Sequence, residues 1–328
     1  MRIAANSIKA QEIQLMLSTL QNDFMERLQS INELFDNHGQ FKSIEWLRDA
    51  GQHGGGLRFE ASEDGIFNRG SINISQVHYD DRPDKSFASA TALSTIIHPK
   101  HPLAPSIHFH ISWTELKNNH SYWRLMADLN PSITDQQDNK KFDVCLKEAT
   151  GQYYQQGCLL GDEYFYIPAL QCSRGVRHFY LEGFNPENTN GSDFAKKFGE
   201  SLIQCYSAIL KQKLLSSVSP TLIQQKHQLN YHTLYFFQVL TLDKGTTAGL
   251  LIHNQNDVGT LGSLPSHISR VLLASWLGIM PAPQDKLIKR LLKILPEQDR
   301  CAISGPLKQQ IADQIRAHYL AYPVNRTR

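Results

Sequence analysis

The sequence predicts an α+β fold in which a large, mostly antiparallel β-sheet packs against α-helices. Two observations carry this reading. From residue 54 to residue 129, five consecutive segments alternate apolar and polar residues with period two, and turn-forming residues separate them. On both sides of this region the apolar spacing changes to three and four residues, the period of one helix face.

The first helix is expected over 8–37. Ile13, Met16, Leu20, Phe24, Leu28, Ile31 and Phe35 lay a single apolar stripe along it. The extended segments follow at 54–59, 65–78, 88–98, 106–114 and 120–129, broken by "SEDG", "YDDRPDKS", "HPKHP" and "KNNH". Short connections between successive strands favour hairpins and a meander, hence antiparallel pairing. After "LNPS" a helix is expected over 142–156, then a strand in "GVRHFYLEGF", then a helix over 192–215. Residues 232–242 and 246–253 flank "DKGT" and are expected as a β-hairpin. Residues 285–295 and 307–322 return to helical spacing. Sheet segments come from both halves of the chain, with no linker or repeat between them. One domain over 1–300 is therefore expected, with 301–328 as an additional helical tail packed on it.

Bulk properties narrow the function. Thirty-three basic and thirty-one acidic residues among 328 leave a net charge of +2, which supplies no field for nucleic acid or an anionic membrane. No signal core and no long apolar run is evident, so neither a secretory leader nor a membrane span is expected. Cys145, Cys158, Cys172, Cys205 and Cys301 are scattered and form no C-x-x-C, as suits reduced thiols in the cytoplasm.

The stretch "STIIHPKHPLAPSIHFHISW" from Ser94 to Trp113 concentrates four of the fourteen histidines. If 106–114 is a strand, His108, His110 and Ser112 share one face while Ile107, Phe109, Ile111 and Trp113 share the other. In the next strand Arg124, Met126 and Asp128 form one set. An acid, a titratable base and a guanidinium on one sheet face suit an acidic small molecule. H-x-H in a strand is also a zinc arrangement, although no third ligand stands at convincing spacing. Histidines that merely fill a half-buried sheet are the third reading.

Several stretches, in order from about residue 45 to residue 276, resemble the oxygen-dependent coproporphyrinogen III oxidases. "GGG" at 54–56 with "FNRGSINISQVH" at 67–78 is similar to that family's glycine run and its F-E-x-A-G-V-N-x-S-x-V-H strand. "HPKHPLAPSIHFHISW" resembles H-P-x-N-P-x-x-P-T-x-H-x-N-x-R-F, and "WRLMADLNP" resembles W-F-G-G-G-x-D-L-T-P. "DEYFYIPALQCSRGV" and "GTTAGLLIHNQNDVGTLGSLP" resemble two later family segments. The resemblance implies a sheet with helices on both faces and a homodimer. It also implies oxidative decarboxylation of two propionates of a tetrapyrrole to vinyl groups, with dioxygen as co-substrate and no metal or organic cofactor. By position, Asp128 matches the aspartate that gathers the pyrrole N–H groups, His108 the family histidine, Arg174 the arginine of R-G, and Asn73 and Ser75 the V-N-x-S strand. These residues, with His110, are the implied catalytic and substrate-binding set.

The chain also departs from the pattern. His110 and Ser112 replace an asparagine and an arginine, Gln255 replaces the arginine of G-G-R, and Ala169 and Leu170 replace a histidine–arginine pair. Arg124, Leu125 and Met126 stand where the family has three glycines, and Arg177 takes another family glycine position. Arg124 and Arg177 are thus expected as substitute carboxylate ligands. A tetrapyrrole-binding or organic-acid-binding protein without catalysis is the alternative on the same scaffold.

Overall fold

The computed structural model describes residues 1–35, 39–62, 64–187, 189–216, 218–252 and 255–323. In chain order the first elements are α1 (Ile8–Phe35), β1 (Phe41–Leu47), β2 (Gly54–Ala61), β3 (Phe67–His78), β4 (Phe87–Pro99), β5 (Ser106–Leu116) and β6 (Ser121–Asn130). Next come α2 (Gln136–Thr150), α3 (Tyr154–Phe165), the two-residue strands β7 (Tyr166–Ile167) and β8 (Cys172–Ser173), β9 (Arg177–Phe184) and α4 (Gly191–Ser216). The remainder is α5 (Leu222–Thr241), α6 (Lys244–Ile252), α7 (Asp257–Thr260), β10 (His267–Ser269), α8 (Arg270–Ser275), α9 (Gln284–Ile294), β11 (Arg300–Ala302) and α10 (Gly305–Ala321). The α+β class expected from the sequence is the one observed.

The expected boundary stands at residue 300, whereas contacts gather the chain into two compact units. One unit comprises Met1–Phe165 and Gly175–Pro220, and the other Tyr166–Arg174 and Thr221–Arg328.

In the first unit, seven strands form an antiparallel sheet in the order β1-β2-β3-β4-β5-β6-β9. Six of the seven lie where the sequence placed them, five in the alternating region and β9 in "GVRHFYLEGF"; β1, a half-exposed strand of mixed pattern, was not among the expected segments. One sheet face is apolar. Ile72, Leu93, Ile107, Phe109, Ile111, Leu125, Leu129 and Phe179 are buried there with Phe24 and Leu28 of α1, Phe142 and Leu146 of α2, and Phe198 and Leu202 of α4. At about 1.5–3 kcal/mol for each fully buried large side chain, this layer holds the sheet flat against its helices. The predicted α1 stripe is the buried one, through Ile13, Leu20, Phe24, Leu28 and Ile31.

Helix α3 lies directly on β9 because two of its residues lack side chains. A Cβ at Gly157 would sit 2.1 Å from the Phe179 ring, and one at Gly161 would sit 2.8 Å from His178. This close approach delivers Tyr164 and Phe165, at the helix end, to Met126 and Tyr180 on the sheet's other face.

The second unit corrects one expectation. Residues 232–242 are not a strand: 232–241 belong to α5 with Leu242 as its C-cap, and residues 246–252 belong to α6, with His253 outside the described residues. Two caps explain the difference. Thr221 and Gln224 form a reciprocal capping box that starts α5. Asp243, read above as part of a hairpin turn, instead accepts from the Thr246 N–H at 2.7 Å and opens α6. A continuous run such as "LYFFQVL" fits a buried helix and a buried strand equally well by pattern. Here it buries Tyr235, Phe236, Val239 and Leu240. Within this unit α10 packs on α9, α6 and α7, and β10 pairs with β11.

Candidate active site

The antiparallel register stacks the polar residues of the first unit's second sheet face into three rows that cross the strands. The first row reads Glu60–Ser71–Ile96–His108–Asp128–His178. The second reads Arg58–Asn73–Ser94–His110–Met126–Tyr180, and the third Gly56–Ser75–Ala92–Ser112–Arg124. Adjacent strands lie about 4.8 Å apart, so five strand spacings span roughly 24 Å.

At the centre of the first row His108 and Asp128 are direct cross-strand partners, and His108 Nδ1 lies 2.8 Å from Asp128 Oδ1. Asp128 has no exposed surface. Its second oxygen accepts from Asn130 Nδ2, which also donates to the Asp128 carbonyl at 2.9 Å. A carboxylate accepting at Nδ1 fixes the imidazole tautomer and puts the basic lone pair on Nε2. With both Asp128 oxygens engaged from within the sheet, His108, whose side chain is 14% exposed, is the more accessible member of the pair. Phe165 stands edge-on to the His108 ring, and the same phenyl lies against His178, which is anchored by Asp162 at 2.7 Å.

His110 pairs with Ser94 through Nδ1 and Oγ at 2.7 Å. Asn73 and Ser75 are half-buried on the same face, and Trp46 Nε1 donates to Asn73 Oδ1 at 3.1 Å. Arg124 reaches across to α3: Nη2 donates to the Tyr164 hydroxyl at 3.1 Å, and the guanidinium faces the rings of Tyr164 and Tyr180. Those two rings stack at 4.4 Å. Six of the expected residues (Asn73, Ser75, His108, His110, Arg124 and Asp128) therefore share one face.

Arg177 does not join them. Arg177 pairs with Leu129 in the register, one residue away from the Asp128–His178 pair, so alternation sends it to the apolar side. There it approaches Asp143 at 3.5 Å. Its expected role as a carboxylate ligand beside Asp128 is thereby overturned by strand parity. Arg174 belongs to the second unit, where it is fully buried, donates to Gln238 Oε1 at 2.6 Å and lies over the Tyr235 ring.

The remaining histidines of the opening stretch serve structure: His98 is buried against Ser106 Oγ, and His101 Nε2 bonds the Val218 carbonyl. Among the described residues no group of three or more His, Cys, Asp or Glu side chains is arranged to hold a metal ion. Reading residues one strand at a time missed His178, Asn130 and Arg58. Period two in "RHFY" and "LRFE" carries the signal for two of them once the register is known.

A family model described as coproporphyrinogen III oxidase matches residues 12–274. The chain belongs to the coproporphyrinogen III oxidase family. It is 29% identical over 248 residues to the oxygen-dependent coproporphyrinogen-III oxidase of Rickettsia akari, covering 70% of this chain and 85% of that one. The enzyme of the same name from Prochlorococcus marinus is 27% identical over 320 residues, covering 84% and 85%. The mitochondrial enzyme of Mus musculus is 25% identical over 315 residues, covering 87% of this chain and 67% of its own. The family match spans the whole sheet and the polar rows upon it. Among the described residues no helix is long and apolar enough to cross a membrane.

Proposed function

We propose that this member of the coproporphyrinogen oxidase family decarboxylates two propionates of coproporphyrinogen III with dioxygen as the acceptor. The observation that carries the reading is the hydrogen-bonded His108–Asp128 pair on a broad polar sheet face. Each turnover step breaks the bond between a propionate's carboxylate and its α carbon and removes one hydrogen from the β carbon. Two electrons leave per propionate, and two propionates supply the four that reduce one dioxygen to two waters. In this reading His108 takes a pyrrole N–H proton at Nε2, which enriches the ring in electrons for reaction with dioxygen. Asp128 holds the ring's tautomer and stabilises the imidazolium that forms. Asn73, Ser75, His110 and Arg124 supply donors to the macrocycle's carboxylates. The proposal needs no metal or organic cofactor, and it includes a homodimer and a reducing, cytoplasmic setting.

The test is an assay of the purified chain with coproporphyrinogen III in air and under argon, without added metal. Release of carbon dioxide with formation of the divinyl product in air alone is the expected result. Tight binding of coproporphyrin without turnover in air would instead make the chain a tetrapyrrole binder on this scaffold.

A further inference from the structure

Arg58 is the one cation of the second polar row, two strands from the His110 strand's neighbour and directly opposite Asn73. Its side chain is 6% exposed. Nη2 lies 3.3 Å from Glu60 Oε2, the neighbouring carboxylate on the same face. Among the described residues Nε and Nη1 have no acceptor. A buried donor left without an acceptor is costly, and a guanidinium cannot escape the cost by losing its proton.

The surroundings fit an anion. Trp46 takes the Asn73 side-chain oxygen, so the donors that Asn73 offers are its two amide N–H groups. The indole can reach Asn73 because Gly56 lies beneath it: a Cβ there would come within 2.4 Å of Trp46 Nε1. Ser94, next along the row, carries a hydroxyl bonded to His110.

We propose that Arg58 and Asn73 form a carboxylate subsite at the β2–β3 end of this face, which receives a propionate of the bound tetrapyrrole. The assignment of the ligand rests on the function proposed above. In the closed, low-dielectric surroundings of Arg58, charge-assisted hydrogen bonds to a carboxylate are strong. The subsite supplies a guanidinium to a chain in which Ser112, Gln255 and Leu170 occupy family arginine positions. Its role is binding, not chemistry.

The subsite is tested with coproporphyrin III, the stable oxidised form, and with its tetramethyl ester, which lacks the charges. Affinities for both are measured on the full chain by fluorescence, alongside thermal unfolding without ligand. Arg58→Met should weaken coproporphyrin III binding by roughly 10- to 100-fold and leave ester binding unchanged. It should change the unliganded Tm little, because the charge removed has unfilled donors and its partner Glu60 is partly exposed to solvent. Arg58→Lys should recover part of the lost affinity. Equal affinity of Arg58→Met and the parent for coproporphyrin III would overturn the proposal. So would a lowered Tm with parallel loss of both ligands, which is the mark of a structural arginine. These are binding readouts, so absence of turnover would defeat the proposed reaction while leaving the subsite standing, and normal turnover with unchanged affinity would do the reverse.

Discussion

Arg124 is the one cation of the third polar row. It stands where the family pattern has glycine, and Tyr164 and Tyr180 hold its guanidinium beside the third polar row. If it binds a substrate carboxylate, Arg124→Ala should raise KM by roughly tenfold or more with kcat little changed, the signature of lost uniform binding. The control is Arg27→Ala on the exposed side of α1, where Arg27 pairs with Asp23. Equal KM values for the two variants would remove Arg124 from the site. At this scale alternation made His108, His110, Arg124 and Asp128 legible, since parity along one strand needs no other information. Parity also excludes Arg177, but only when β9 is registered against β6. The partner pairs His108–Asp128 and Arg58–Asn73 likewise depend on register, which hairpin lengths suggest but do not specify.

Among the elements, α3 does the most to shape the polar face. Its glycines at 157 and 161 seat it on β9, and its last turn brings Tyr164 and Phe165 over Met126, His108 and His178. Gly161→Ala places a methyl group against the His178 backbone and Cβ, so the helix must lift. The expected loss is about 1–3 kcal/mol of stability, read as a lower denaturant midpoint with an unchanged slope. An unchanged midpoint would show that α3 is not held by this contact. The helix was only half legible: its start was merged with α2 into a segment at 142–156, and "DEYFY" lies beyond the expected end of that segment. The strands read well because each is bounded by Gly, Pro, Asn or Asp. The segment around 232–253 read badly because its apolar residues run together, and the caps at Thr221 and Asp243 decide the matter locally.

For the whole molecule, near-neutral charge makes individual buried groups the main source of pH dependence. His232 in the second unit is fully buried, and burial, with His267 and Arg300 nearby, pushes its pKa down to about 3. Burial also lowers His318. An unfolded histidine titrates near 6.5. Between those values the unfolded chain binds a proton that the folded chain refuses. Stability is therefore intact above about pH 6.5 and falls as the pH drops, by up to about 1.4 kcal/mol per pH unit for one such group. Equilibrium unfolding at pH 7, 6 and 5 should show this fall, and His232→Gln should flatten it, leaving the part due to His318. An equal slope in both chains would contradict the assignment. The grouping of the chain into two units was not legible at all, because no linker or change of composition marks residue 220.

The account as a whole depends on the acid at 128 directing the imidazole at 108. Conversion of coproporphyrinogen III in air by the Asp128→Asn chain, with folding verified by thermal unfolding, tests this most directly. A fall in kcat of about 100-fold or more is expected, as for loss of a group that sets the tautomer and charge of a general base. A folded Asp128→Asn chain that turns over at the parent rate would contradict it.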